Sequence, residues 1–519
     1  SEPRSGVMQE STGNKMQNTS KTTFASRPPA AETVLASDAS LLALVRRRWS
    51  FFAVATAAAL ALRLLFILRF PTISPDGYVY GDLAKNWLER GILGMSAAAG
   101  PAPTYIRLPG YPALMAAIWA VTGVDHYNAV RFVQMFADVV TCFVLADLAR
   151  RLVSSLAPET AERAACASFA LCAFCPFIAN YTAVPLTETF AILLAAAALD
   201  CAVTALQRAD VPEEPPGLAK PGLDRGTLGM WAWCGVFIGL GIMLRPDGGM
   251  LLIAIGGYLL YRLARHPNRG RTFWSGVMLG VCALAPLVPW TARNWITFHQ
   301  FQPLAPVSAN APGEFVARGF ERWMDTWLVD YASMEDIGFR IDGDALRFGD
   351  LPASAYDGPG EQARTEALFE QYNVNQVMTP ALDAQFGELA RERIGRAPLR
   401  YYVGLPLLRT VDLWFRPRIE MLPIGSHWWR FREEPRDTAW ALVLGAINLF
   451  YVAAALFALR RWRQLSGVAV LLTFLVVRTV LIAAITHPEP RYVLECYPAI
   501  IALAAIALAR TNSPRYSGA

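Results

Sequence analysis

Charge is scarce in this chain. Only 17% of its 519 residues are Asp, Glu, Lys or Arg, while 54% are hydrophobic. Soluble domains carry roughly 25% charged residues. The chain therefore lacks the polar groups to cover the water-facing domains that its length would otherwise imply. Lysine is nearly missing: Lys15, Lys21, Lys85 and Lys220 are the whole set. A net charge of +5 on so long a chain argues against nucleic acid as a partner. The loops have no cysteine. All eight (Cys142, Cys166, Cys172, Cys175, Cys201, Cys234, Cys282, Cys496) fall in apolar stretches, so no disulfide framework holds the loops and the thiols read as small buried hydrophobes. Cys172-x-x-Cys175 has redox spacing but no soluble βαβ context. Walker loops, Gly-x-Ser-x-Gly elbows and His-x-Glu-x-x-His spacings are absent as well. No metal or other cofactor is expected to be required, and a carboxylate-bound divalent ion stays open.

What the chain has in abundance is apolar runs close to the ~20 residues that cross a bilayer. Spans are predicted at 50–70, 128–149, 164–182, 188–207, 229–246, 249–264, 273–292, 438–459, 466–486 and 492–510, an all-α polytopic membrane protein with about 10–12 transmembrane helices. Arg46–Arg48, Arg150-Arg151, Arg208, Arg262 to Arg271 and Arg460 to Arg463 alternate onto one side. The positive-inside rule makes that side cytoplasmic and places both termini there. Residues 1–49 read as a disordered cytoplasmic tail, with an apolar run too far along to be an ordinary signal peptide. Residues 50–292 form an N-terminal transmembrane module, 293–437 an extracytoplasmic segment, 438–510 the C-terminal transmembrane helices and 511–519 a cytoplasmic tail. The Pro-rich stretch 208–227 reads as a linker.

Two outer segments carry short amphipathic helices. Segment 71–127 holds a helix at 78–93 and an apolar piece at 111–123. In 293–437 a helix is expected at 361–395, and Leu399 to Phe415 is apolar enough to lie on the membrane or to add a span. Its tryptophans (Trp295, Trp323, Trp327, Trp414, Trp428, Trp429) suit sugar stacking or an interfacial belt, the belt being the default for Trp428 and Trp429. Asp138, Asp200 and Arg478 are charges inside spans, where each is costly and expected to be paired; Arg131, two turns from Asp138, is the partner anticipated for it.

The first outer segment holds the most chemistry. It reads Ser74-Pro75-Asp76-Gly77-Tyr78-Val79-Tyr80-Gly81-Asp82. Pro75 breaks the chain, and Asp76 reads as a helix N-cap with Tyr80 and Ala84 on its face. The other reading of Asp76 is a general base at the membrane boundary. Asp82 lies on a different face. Arg107-Leu-Pro-Gly-Tyr111-Pro is a rigid turn. Glu188 opens a span, where a helix N-terminus favours a carboxylate.

Asp76-x3-Tyr80-x3-Ala84 followed by Arg-Leu-Pro-Gly-Tyr-Pro resembles the first outer loop of GT-C glycosyltransferases. The branch it is most similar to contains the dolichyl-phosphate-mannose protein mannosyltransferases and the lipid A aminoarabinose transferase. Pro185-Leu-Thr-Glu188, Leu244-Arg245-Pro-Asp247, Pro289-Trp-Thr-Ala-Arg293-Asn and Glu489-Pro-Arg491-Tyr492 resemble further motifs of that family, in order. The resemblance implies a GT-C fold in the cell inner membrane, with the active site on the extracytoplasmic side. It implies inverting transfer of a monosaccharide from a polyprenyl-phosphate-linked donor to a lipid, glycan or protein acceptor, with membrane lipids as the other partners. Asp76 is then the base, and Arg491, Arg293 and Arg245 hold the donor phosphate. Tyr80, Asp82, Arg107, Tyr111, Glu188, His487 and Tyr492 are the expected substrate contacts. Gly77 stands where the protein mannosyltransferases place the Glu of an Asp-Glu pair, which leaves the acceptor open. The rival reading is a secondary transporter or lipid-carrier flippase, in which the mid-membrane charges form a relay.

Overall fold

The computed structural model describes residues 40–210, 225–265, 268–306, 310, 313–485 and 489–509; the compact unit begins at Leu41. Most of the tail 1–49, residues 211–224 of the predicted linker 208–227, His487 and the tail 511–519 lie outside the described residues. Helix α1 (Leu41–Arg47) precedes α2 (Trp49–Arg69), α3 (Pro75–Arg90), α4 (Gly110–Thr122), α5 (Tyr127–Leu152), α6 (Pro158–Ala173), α7 (Pro176–Ala179), α8 (Glu188–Ala209), α9 (Arg225–Leu244) and α10 (Gly249–Arg265). Then come α11 (Arg269–Leu284), α12 (Leu287–Phe298), α13 (Arg318–Asp325), α14 (Tyr331–Asp336), α15 (Pro359–Asn373), α16 (Pro380–Arg396), α17 (Leu405–Phe415), α18 (Pro435–Ala458), α19 (Val468–Ala484) and α20 (Tyr497–Leu508). Among the described residues the only strands are β1 (Gly94–Met95) and β2 (Ala102–Pro103), an antiparallel pair.

Among the described residues six helices are long and apolar enough to cross a membrane: α2, α5, α8, α9, Pro435–Gln464 and Pro490–Leu508. Two bent pairs, Pro158–Ala173 with Pro176–Ala183 and Arg269–Leu284 with Leu287–Phe298, raise that to eight. Pro176 and Pro286 explain the bends, since proline removes a backbone donor and crowds the preceding turn. The two remaining predicted spans, α10 and α19, are helices of 17 residues, at the short limit for crossing. The chain is a multi-pass membrane protein.

Several expectations change. Residues 41–47 are helical, with Leu44 buried, and Arg47 and Arg48 both pair with Glu162. Residues 41–49 therefore belong to the folded part rather than to a disordered tail. The helix expected at 361–395 is two, because Pro380 opens a new one that Thr379 caps through the Leu382 amide (3.3 Å). Trp323 and Trp327 form no belt: both are buried in a second, separate core with Phe320, Phe369 and Phe386. Asp138 does not pair with Arg131. Its partner is Arg63 of α2 (2.6 Å), a fourth charge inside a span. Arg63 also donates to the Cys172 and Ala173 carbonyls near the α6 break, while Arg131 donates to Asn128 and to the carbonyls of Thr72 and Ala183.

Both members of the Arg63–Asp138 pair are fully buried. Breaking such a pair strands a charge, at about 3–5 kcal/mol, whereas removing both is close to neutral. Arg63→Met is thus expected to lower the Tm in detergent sharply, and Arg63→Met with Asp138→Leu to recover most of the loss.

Candidate active site

The first segment is built by local rules. The Ser74 hydroxyl accepts the Gly77 amide (3.1 Å) and caps α3, Pro75 fills the first turn, and Gly91 ends the helix with φ +70°. Asp76 is therefore not the cap, contrary to one reading of the sequence, and its carboxylate is directed elsewhere. Gly77 has a steric reason: a Cβ there would stand 3.1 Å from the Pro185 carbonyl oxygen. A glutamate at 77 would press against the Pro-Leu-Thr-Glu turn, so the missing Asp-Glu pair goes with a close approach of α3 to that turn. Gly110 makes a second close approach, since its Cβ would lie 2.5 Å from the Met243 carbonyl oxygen. It seats the Arg-Leu-Pro-Gly turn on the end of α9.

These contacts gather residues from widely separated parts of the chain. Asp76 Oδ1 accepts from Arg107 and Oδ2 from Arg491, both at 2.8 Å. Arg491 also lies 2.5 Å from Glu489 and 3.7 Å from Glu188. Glu188 accepts from Arg245 (2.6 Å), which pairs with Asp247 (3.1 Å) and approaches Glu495 (3.7 Å). Arg478 closes the chain of charges on Asp247 (2.8 Å) and Glu495 (3.0 Å) and donates to the Tyr492 carbonyl. The Tyr492 ring lies under Arg245 and its hydroxyl donates to Glu489 (3.2 Å). Tyr80 and Tyr111 meet edge to face at 5.0 Å, with the Tyr111 hydroxyl on Gln134 (2.6 Å).

Burial by itself would raise the Asp76 carboxyl, but Arg491 and then Arg107 hold it below the usual aspartate range. Burial would likewise raise Asp247, and Arg245 with Arg478 hold it well below that range. The Tyr80 phenol is pushed up to about 12 by burial and then by Asp76, so it stays a neutral donor.

Asp82 and Arg293 lie outside this network. Asp82 accepts from the Ser96 amide (2.7 Å) and hydroxyl (2.5 Å), which ties the β1–β2 hairpin to α3. Arg293 donates to the Thr104 and Leu93 carbonyls (2.7 and 2.9 Å) and stacks near Trp290 and Phe298. In this structure both brace the first segment. Glu489, Asp247, Glu495 and Arg478 were absent from the sequence-based set of site residues. The signals were present: Glu489 and Asp247 stand inside two of the motifs, and Arg478 is a charge inside a span. Among the described residues no group of three or more His, Cys, Asp or Glu could hold a metal ion.

No protein-family model matches the chain, and no curated protein matches it. Solved structures do. The archaeal oligosaccharyltransferase AglB from Archaeoglobus fulgidus, in complex with an inhibitory peptide and a dolichol-phosphate, matches with TM-score 0.51 at 14% identity over 89% of this chain. An Archaeoglobus fulgidus oligosaccharyltransferase in the apo form matches with TM-score 0.50 at 15% identity over 89% of this chain, and each match covers 50% of the other chain. ArnT from Cupriavidus metallidurans in the apo state aligns with TM-score 0.38 at 13% identity, over 88% of this chain and 77% of that one. The AglB likeness shows the fold: this chain has the GT-C architecture. It spans about half the length of the AglB structures.

Proposed function

We propose that this chain is an integral membrane glycosyltransferase. It moves a monosaccharide, hexosyl or pentosyl, from a polyprenyl-phosphate donor to an acceptor outside the cytoplasm, with inversion. Asp76 is the general base, and Arg491, assisted by Arg245, holds the leaving phosphate. One observation carries the reading. Asp76 does no capping work, and both of its oxygens face guanidinium groups brought from other parts of the chain. A leaving phosphate needs cations to stabilise its charge, and guanidinium suits it through paired N–H donors.

The charge arrangement suggests an order of events. Four arginines (Arg107, Arg245, Arg478, Arg491) meet five carboxylates (Asp76, Glu188, Asp247, Glu489, Glu495). An arriving phosphate finds no surplus cation and has to displace a carboxylate. Asp76 has the most exposed side chain of the five, 24% against 2–19% for the others, so it yields Arg491 most readily. Released from one of the two cations that depress it, Asp76 becomes a stronger base just when the donor is in place. The transporter reading finds less support, since Asp138 and Asp200 are each held by an arginine and Arg478 by Asp247 and Glu495.

The direct test is transfer by the purified protein from a panel of radiolabelled polyprenyl-phosphate sugars. Substrate flux in liposomes without transfer would overturn the reading. The proposal assigns phosphate stabilisation to arginine, so EDTA is expected to leave transfer unchanged. The pH profile gives a further check. A carboxyl held below its usual range stays ionised until the pH falls through that lowered value, so kcat/KM, which reports free enzyme, is expected to hold down to about pH 4, the ordinary aspartate region. Arg107→Gln removes one depressing cation while burial remains, and the acid limb is expected to move to higher pH.

A further inference from the structure

Gln134 is a fully buried amide in the first third of α5, and the chemistry proposed above makes no use of it. Its carboxamide oxygen accepts from the Tyr111 hydroxyl (2.6 Å). Its nitrogen reaches the Val184 carbonyl (2.8 Å) and those of Tyr181 and Thr182 (3.2 and 3.3 Å). Both ends of the amide are thus engaged in holding other segments of the chain. A carboxamide is the neutral group that suits this task, since it accepts on one atom and donates twice from the other. An ionised glutamate has no proton for the carbonyls, and leucine can neither donate nor accept.

Both segments lead into the proposed active site. Tyr111 lies at the start of α4, directly after the Arg107-Leu-Pro-Gly turn. Its ring meets Tyr80, one turn beyond Asp76, edge to face at 5.0 Å. Val184 precedes Pro185, whose carbonyl oxygen would stand 3.1 Å from a Cβ at Gly77, next to Asp76. The same turn ends at Glu188. One amide therefore ties the segment bearing Arg107 to the segment bearing Glu188, and each of the two touches the Asp76 helix. Arg131, one turn earlier on α5, donates separately to the carbonyls of Ala183 and Thr72. That second tether holds the 181–184 segment when Gln134 is lost, so removing the amide loosens alignment more than fold.

We infer that Gln134 is a positioning residue, which sets the Arg107 turn against the Glu188 turn and so places Asp76 among its guanidinium partners. The inference rests on the transfer proposed above and adds a residue that is buried away from any substrate. Alignment of this kind is worth a great deal, because a displacement of about 1 Å can cost about 10²-fold in rate.

The experiment measures transfer by the purified full chain, with the loaded carrier that wild type turns over, for Gln134→Leu, Tyr111→Phe and the double variant. Gln134→Leu is expected to lower kcat about 30-fold, within the cost of such a displacement, with the donor KM held within about twofold. Tyr111→Phe keeps the ring against Tyr80 and removes only the hydroxyl. It is expected to lower kcat about fivefold, the scale of one hydrogen bond. Both cut the same clamp, so the double variant is expected to match Gln134→Leu rather than multiply the two losses. The ionisable groups that face Asp76 are Arg491, Arg107 and Tyr80, and the two arginines hold its carboxyl down. A loosened Arg107 holds it less, so the acid limb of kcat/KM is expected to move to higher pH in both single variants. Losses that multiply, a risen KM with kcat held, or an unmoved acid limb overturn the assignment alone. If Gln134→Leu does not fold, Tyr111→Phe decides: wild-type kcat and an unmoved limb overturn it, and a fall in kcat with a moved limb supports it. Absence of transfer by wild type from every loaded carrier fails the proposed reaction itself, and the positioning role with it.

Discussion

Asp76→Asn is expected to lower glycosyl transfer by about 10²- to 10⁴-fold, the usual worth of a positioned general base, while leaving the fold and donor binding in place. The side chains are the same size, and a quarter-exposed position next to a helix start tolerates the exchange. The electrostatics make the prediction specific. As an aspartate, residue 76 accepts from two guanidinium groups. An asparagine has only one acceptor oxygen, so its amide nitrogen would face the N–H groups of Arg107 or Arg491. Arg491 is then held less firmly and is more available to phosphate. The donor Kd is therefore expected to stay level or fall as turnover collapses, a split that loss of folding cannot produce. Donor binding by equilibrium titration, together with single-turnover transfer, checks both halves. Full turnover by the variant would sink the mechanism.

Within the candidate site the largest expected effect on stability belongs to Arg478→Met. Arg478 is 1% exposed and holds Asp247 and Glu495 together with the Tyr492 carbonyl. Methionine fills much of the volume and restores none of the partners, so a buried charge is left uncompensated at a cost of about 3–5 kcal/mol. Arg245 still touches both carboxylates, which places the expectation at the lower end of that range. Pairing the substitution with Glu495→Gln removes one stranded charge and is expected to recover part of the Tm measured in detergent. Activity is expected to recover less than stability. The Tyr492 carbonyl that Arg478 holds is adjacent to Arg491, and small displacements of a phosphate-binding group cost rate steeply. If the single variant melts with wild type, the network is not structural.

How much of this was legible in the chain depends on the range of the interaction. Over their described residues the ten apolar runs are mostly helical, two of them as bent pairs, because composition and length decide that locally and a bilayer demands internal backbone hydrogen bonding. The caps followed from nearest neighbours, once Ser74 rather than Asp76 was given the role. Asp76, Arg107, Glu188, Arg245 and Arg491 were marked by motif and meet in space, whereas Asp82 and Arg293 carry the same kind of mark and were drawn into bracing the first segment.

By itself the sequence determined that this protein sits in a membrane, which stretches form its apolar helices, and which few charges were left for chemistry. Scarcity of charge made that list short. Only the tertiary structure decided the partners. Asp76 meets Arg491 across 415 positions of sequence, and Asp138 pairs with Arg63 of another helix rather than with Arg131 of its own. A charge in a low-dielectric interior takes whichever opposite charge the helix packing brings within reach. That packing depends on close approaches such as Gly77 to Pro185 and Gly110 to Met243, which no local pattern encodes.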